Sequence, residues 1–151
     1  PKMIELFSRT NYLLQEENGL TPIHIEDSVS SLSAILLNDA YYQALMDGRE
    51  NMRGISVLKP EWIIPFKAKA WLDLREKKDV DSSDIKKHRN DIIRIVSDMV
   101  LQKCILPDEV RKDMEKFIEQ FDVTESELKN LKIRGTKPED IKRVLQTTYL
   151  D

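Results

Sequence analysis

The sequence predicts an α+β fold in which a few N-terminal strands precede a helical C-terminal half. Up to residue 58, short strand-like stretches are separated by turn residues. From Pro60 onward, apolar residues recur at the three- to four-residue spacing of amphipathic helices. With 40% apolar and 34% charged residues, the 151-residue chain has the composition of a globular protein. We therefore distinguish a partial α/β region, 1–58, from a helical region, 59–151.

The first predicted elements are short strands. In "KMIELFSR", Glu5 shares one face of a strand with Met3 and Phe7. The Asn-Gly pair in "ENGLTP" predicts a turn, and "IHI" a short extended piece after it. The stretch "SSLSAILL" fits both a helix and a strand. The stretch "GISVL" predicts a later strand that leads into the helical region.

Helix starts and ends are indicated by their cap residues. A helix over residues 39–46 has Asn38 as its N-cap and Gly48 as its stop. Pro60 starts a second helix, which Pro65 either kinks or divides into a first turn and a main body.

A polar loop, "KKDVDSSD", separates this helix from the next. Ser82 or Ser83 caps a third helix over residues 84–102, and the chain after Pro107 is helical throughout. The apolar face of the first tail helix comprises Val110, Met114, Phe117, Ile118 and Phe121. Two capping boxes start the later helices: Thr124 with Glu127, and Thr136 with Glu139.

Charged residues also lie on helix faces that should be buried. Lys67 shares its face of the second helix with apolar residues, and a buried ammonium group needs an anionic partner. If the second and third helices are antiparallel, Lys67 and Arg75 meet Asp91 and Asp84 in a partly buried cluster. This cluster has two interpretations: an ion-pair network that fixes helix register, or the lining of a pocket for a phosphorylated ligand.

The rest of the third helix carries a weaker signal. Lys86, Arg89 and Asn90 are expected to face water. The basic stretch "KKHR" is a weak indication of RNA binding, because acidic residues flank it on both sides.

Composition excludes several function classes. The net charge is −3 and the sequence pI about 5.5, so there is no general attraction to nucleic acid or to an anionic membrane. One cysteine permits no intrachain disulfide, and with two histidines it supplies no zinc cluster. The low cysteine content favours a cytoplasmic location. No apolar run reaches the length of a membrane span.

Three stretches resemble a known family. They are "VSSLSAILLNDAYYQAL", "ISVLKPEWIIPFKAKAWLDL" and "DSSDIKKHRNDIIRI". They are similar to the later part of the AbiEii/AbiGii-type nucleotidyltransferases, which belong to the abortive-infection toxins of type IV toxin–antitoxin systems. The resemblance covers about residues 1–100, and the helical tail after Pro107 resembles no motif of the family.

The resemblance assigns roles to particular residues. Lys67 and Arg75 match the family's helix-borne lysine and arginine, and "KHRNDI" matches its "RDxxDL"-like element. In that element Lys87 stands for the arginine, His88 departs from the first aspartate, and Asp91 stands for the second. The implied nucleotide-binding set is Lys67, Arg75, Lys87, Asp84 and Asp91. A nucleoside triphosphate is the implied partner.

The family's metal-binding motif has no counterpart in this sequence. The "GS…R" turn and the strand with two metal-binding aspartates are absent, and Asp79 and Asp81 lie in a loop. Glu5 could stand for a third carboxylate, although a solvated strand position explains it as well. The resemblance implies Mg²⁺ for an intact enzyme and no transferase activity for these residues alone. We expect a C-terminal portion of such a protein, the alternative being a chain that never had the first motifs.

A second function class stays open. In that interpretation the helices form a non-catalytic module that binds a partner protein such as an antitoxin, or an RNA, and the charges serve only to hold the fold.

Overall fold

The described part of the chain has all five strands before residue 59 and five of its six helices after it, which confirms the predicted α+β class. The computed structural model describes the backbone of residues 6–9, 20–23, 32–77 and 81–151, and the side chains of residues 37–77 and 81–151. The elements are β1 (Leu6–Arg9), β2 (Leu20–Ile23), β3 (Leu32–Leu37), α1 (Asp39–Gly48), β4 (Arg49–Met52), β5 (Ile55–Leu58), α2 (Pro60–Glu76), α3 (Ser82–Asp98), α4 (Asp108–Gln120), α5 (Glu125–Asn130) and α6 (Pro138–Tyr149).

The first three strands form one sheet in the order β1-β3-β2. β1 is parallel to β3, with Leu6 opposite Ala34, and β2 is antiparallel to β3, with Leu20 opposite Ile35. Pro22 lies in β2, an edge strand in this sheet, where a residue without an N–H is tolerated. The ambiguous stretch "SSLSAILL" therefore contributes a strand, β3, rather than a helix.

A β-hairpin follows α1, and the sequence predicted only its second strand. β4 pairs with β5 in antiparallel register, with Met52 opposite Ile55. The two turn residues, Arg53 and Gly54, have φ angles of 53° and 84°, as a type I′ turn requires. The amide N–H of Gly54 also donates to Asn51 Oδ1 over 2.8 Å. The polar sequence "RENM" therefore forms a strand because the turn at Arg53 and Gly54 pairs it with β5.

The ends of α1 agree with the sequence. Asn38 caps the helix, and its Oδ1 accepts from the Tyr41 amide N–H over 3.0 Å. Gly48 is the last residue of α1, and a Cβ there would lie 2.3 Å from Cγ of Trp62. A side chain at this position would therefore collide with α2, so the glycine permits close packing of the two helices.

Pro65 neither divides nor ends α2, which is continuous from Pro60 to Glu76. A proline has no N–H, so the carbonyl four residues earlier, that of Glu61, loses its helical donor. The hydroxyl of Tyr149 in α6 donates to this carbonyl instead. Burial raises the pKa of Tyr149, which keeps the hydroxyl protonated as a donor.

α3 is shorter than predicted and starts two residues earlier. Its N-cap is Asp81 rather than Ser82 or Ser83, because Asp81 Oδ1 accepts from the Ser83 amide over 2.9 Å. The helix ends at Asp98, and the segment 99–107 that follows contains neither helix nor strand.

The tail is helical as predicted, with one displaced cap. Thr124 and Glu127 form the predicted capping box at α5. At α6 the N-cap is Lys137, whose amide donates to Asp140 Oδ2 over 3.2 Å, one residue beyond the predicted pair of Thr136 and Glu139. Pro138 at the first helical position fixes this start. All five residues of the predicted apolar face of α4 are buried.

The described core lies between α2, α3, α4 and α6. At its centre, Phe117 makes an edge contact with Trp71, with ring centroids 5.3 Å apart, and packs against Phe121 at 4.7 Å. Ile64, Ile92 and Ile93 are among the fully buried side chains.

Candidate functional site

The outer seam between α2 and α3 brings together part of the predicted site. We define the α2–α3 seam by Ile63, Lys67 and Ala70 on α2 and by Asp91 on α3, all of which are half-buried. The residues of α2 follow the three- to four-residue spacing of a single helix face. The seam therefore combines two charged side chains with two apolar ones at partly exposed positions.

Lys67 and Asp91 pair across this seam, which confirms that part of the prediction. Lys67 Nζ donates to Asp91 Oδ2 over 2.8 Å, and the two side chains are 24% and 28% exposed. Lys67 lies nine residues before the end of α2 and Asp91 nine residues after the start of α3, as pairing between antiparallel helices requires. Because both groups still contact solvent, the pair is accessible to a ligand and contributes at most about 1 kcal/mol to stability.

Two further cations lie on the same face of α3. Lys87, one turn before Asp91, is exposed, and Arg94, one turn after it, has Nη1 3.9 Å from Asp91 Oδ1. Asp84 is exposed in the first turn of α3, where the helix dipole favours a negative charge. Asp98, two turns after Asp91, is also exposed on this face, so three cations lie beside three carboxylates. The sequence interpretation missed Arg94, although its spacing from Asp91 could have indicated it.

Arg75 does not join this cluster, so the predicted contact with Asp84 is wrong. Its guanidinium carbon lies 4.2 Å from the centroid of the Trp71 ring, and Nη1 donates to Gln120 Oε1 of α4 over 3.0 Å. Arg75 is eight residues after Lys67, about 80° further around the helix, which directs it toward α4.

A second charged cluster joins α1, α2 and α4. Lys69 Nζ lies 3.1 Å from Asp73 and 3.5 Å from Asp113, and the Tyr41 hydroxyl donates to Asp113 over 2.9 Å. Burial, followed by the charge of Asp113, raises the pKa of Tyr41. Burial lowers the pKa of Lys69, but its hydrogen bond to Asp73 and the charge of Asp113 outweigh that effect and raise it. Every group in this cluster has a partner, so we interpret it as structural.

Arg89 was predicted to face water, and this prediction is wrong. Its side chain is 17% exposed, lies over the Phe121 ring, and binds both oxygens of Glu127 and the carbonyl of Asp122. Arg89 therefore ties α3 to the turn between α4 and α5. The hydrogen bond from Arg89, with support from Thr124, lowers the pKa of Glu127 to about 2.

This depressed pKa predicts a pH dependence of stability. Glu127 is ionised in the folded protein down to about pH 2 but has an ordinary carboxyl pKa when unfolded. Its contribution is therefore complete above the unfolded pKa and is lost as the pH falls toward the folded one. We expect Glu127→Gln to flatten the fall of the urea midpoint over this acid range.

Glu125→Gln, in the first turn of the same helix, is the matched control and should keep the wild-type slope. Parallel pH profiles for Glu127→Gln and wild type would show that the Arg89 contact does not act in this way.

The described residues do not fit a magnesium site. Among them, no group of three His, Cys, Asp or Glu side chains is placed to hold a metal ion. Asp73 and Asp113 approach one another, but the ammonium of Lys69 contacts both of them. Glu5, the predicted third carboxylate, lies outside the described residues. We therefore derive no step through a metal.

Cys104 is not a nucleophile in this structure. The thiol is buried, and burial followed by the charge of Glu61 raises its pKa to about 12. A thiol with this pKa stays protonated at neutral pH, so Cys104 packs as a small apolar residue.

Comparison of the chain with protein-family models, with curated proteins and with solved structures finds no match. Within the described ranges, no helix combines the length and apolarity that crossing a membrane requires.

Proposed function

We propose that this chain supplies the helical wall of a nucleotide site in a nucleotidyltransferase-like protein. The observation that supports this proposal is the half-exposed Lys67–Asp91 pair, flanked by Lys87 and Arg94 on one face of α3. Lys67, Lys87 and Asp91 are residues for which the family resemblance implies a role in nucleotide binding. Arg75 is omitted because its side chain is directed to Trp71 and Gln120.

Each residue has a distinct task in this proposal. Lys67 supplies an ammonium group for a phosphate oxygen, and Asp91 orients that ammonium across the seam. Arg94 offsets the charge of Asp91, which would otherwise repel an anion. Lys87 adds a flexible cation one turn away. Together these residues would bind and orient phosphate groups and would not themselves take part in a covalent step.

Nucleotide titration of the protein tests this proposal. We expect Lys67→Met to weaken the binding of Mg·ATP, Mg·GTP or Mg·CTP by about tenfold, since a charge-assisted contact of about 1.4 kcal/mol is lost. The binding isotherm is measured by calorimetry at low ionic strength, where exposed charges are least screened.

Lys116→Met is the matched control. Lys116 also forms an interhelical ion pair, with Glu76 at 2.9 Å, but on the α2–α4 side of the molecule. Both variants lose one charge and one interhelical contact, and only Lys67→Met alters the seam. Equal dissociation constants for the two variants would remove Lys67 from any nucleotide site.

A specific observation supports the second class, a module that binds a partner protein such as an antitoxin. After α3, Val100 and Ile105 are 96% and 89% exposed, and Met99 is half exposed. Apolar side chains at such positions are typical of protein-binding surfaces. In this alternative, Lys67→Met lowers stability, and no nucleotide binds to the wild-type protein.

A further inference from the structure

The segment from α5 to α6 is strongly basic in an otherwise acidic protein. Residues 129–143 contain six Lys and Arg residues and two Asp and Glu residues, a net charge of +4, whereas the whole chain has −3. We define the basic loop by its four exposed cations: Lys129, Lys132, Arg134 and Lys137. Such a local excess produces a positive potential that the net charge of the chain conceals.

These four cations differ in their surroundings from the basic residues that join one helix to another. Lys67, Lys69, Arg89 and Lys116 each pair with a carboxylate on another helix. Within the described ranges, by contrast, none of the four cations of the basic loop lies within ion-pair distance of a carboxylate. Their charge is therefore available to an external anion.

The backbone of the loop is held in a defined conformation. The amide N–H of Ile133 donates to the carbonyl of Leu128 over 2.9 Å, and that of Lys132 to the carbonyl of Lys129 over 3.0 Å. These two bonds form a Schellman motif at the end of α5. Lys132 takes the left-handed position of this motif, with a φ of 61°, where glycine is the usual residue. A lysine thus occupies a strained position while its side chain is exposed.

The loop has charge but no apolar contact surface. Leu131 and Ile133 are half-buried against the core, and residues 129–143 include no exposed large hydrophobic and no aromatic residue. A protein partner normally requires apolar or aromatic anchors at the centre of its interface, and base recognition in single strands requires stacking rings. Contact with a phosphodiester backbone requires neither.

We propose that the basic loop binds the phosphate backbone of a nucleic acid through charge, without reading its bases. This site is separate from the α2–α3 seam and does not depend on nucleotide binding there. Single-stranded and duplex nucleic acids share the same phosphodiester chemistry, so both are probes of the site.

Salt-dependent binding measures this contact directly. A fluorescein-labelled single-stranded RNA of mixed sequence, and its duplex, are titrated by anisotropy between about 50 and 200 mM salt. With four phosphate contacts, we expect the logarithm of the association constant to fall against the logarithm of salt with a slope of about −3 for the single strand. Changing all four cations to glutamine should weaken binding by at least about tenfold at the lowest salt and bring the slope toward zero.

Two further variants separate binding from folding. Lys132→Gly removes one charge but places glycine at a left-handed position, so it should raise the thermal midpoint while it weakens RNA binding and makes the slope shallower by about 0.7. A variant with glutamine at Arg53, Lys86, Lys103 and Lys112 removes the same charge from exposed positions elsewhere. It should bind RNA more tightly than the basic-loop variant.

Two results would overturn the proposal. The first is equal RNA affinity in the basic-loop variant and the matched variant, because the loop would then have no special role. The second is binding of polyglutamate as tight as that of RNA with the same loss in the basic-loop variant, because an acidic protein would then be the better assignment.

Discussion

Replacing Phe117 by alanine is expected to lower the free energy of unfolding by about 3–5 kcal/mol. Phe117 is fully buried, and its ring contacts Trp71 of α2 and Phe121 at the end of α4. The substitution removes an aromatic ring from the point where α2 and α4 meet, and the surrounding helices cannot collapse fully into the space. Urea denaturation at neutral pH measures the loss as a lower midpoint at an unchanged slope.

Ile105→Ala is the control for this experiment. Ile105 is also a large apolar residue, but its side chain is 89% exposed in the segment after α3. Its replacement should change stability by no more than about 0.5 kcal/mol. A loss of similar size for both variants would contradict the placement of Phe117 at the centre of the core.

Replacing Tyr149 by phenylalanine is expected to cost about 1–3 kcal/mol, because the carbonyl of Glu61 is left buried without a donor. Pro65 removes the usual helical donor to this carbonyl, and the Tyr149 hydroxyl replaces it. The change deletes one oxygen and leaves the ring in place, so lost packing contributes little. The same urea measurement gives the free-energy difference.

A double-mutant cycle tests the cause. Pro65→Ala restores an N–H that can donate to the Glu61 carbonyl within α2. In that background, Tyr149→Phe should therefore cost clearly less than in the wild-type protein. Equal costs in the two backgrounds would show that the hydroxyl of Tyr149 does not compensate for the proline.

The candidate site could be predicted only in part. The pairing of Lys67 with Asp91 followed from two antiparallel helices joined by a short loop and was correct. The prediction that Arg75 contacts Asp84 failed because Arg75 lies on the border between two faces of α2. A long side chain at such a position can turn toward either face, and it takes the direction in which it finds contacts. Here the neighbours are the ring of Trp71 and the amide of Gln120.

Arg89 shows more clearly that the contacts of a side chain cannot be predicted from its position on one helix. From the sequence it was assigned to the solvent face of α3, although Ile93 and Val96 lie close to it around the helix axis. In the fold, α5 covers that position and supplies Glu127 as its partner, 38 residues further along the chain. A helical wheel specifies a direction around one axis, but it does not specify which other element occupies that direction.

The sequence by itself determined where the helices of the C-terminal half lie and which faces are apolar. Caps and periodicity act over three or four residues, so the Asn38 cap, the capping box of Thr124 and Glu127, and the buried face of α4 could be predicted locally. Only the tertiary structure decided how Pro65 is accommodated in α2, because its compensating donor is 88 residues from Glu61. Local signals fix local hydrogen bonds and patterns of burial, whereas the partner of a side chain at a helix interface depends on which distant segment packs there.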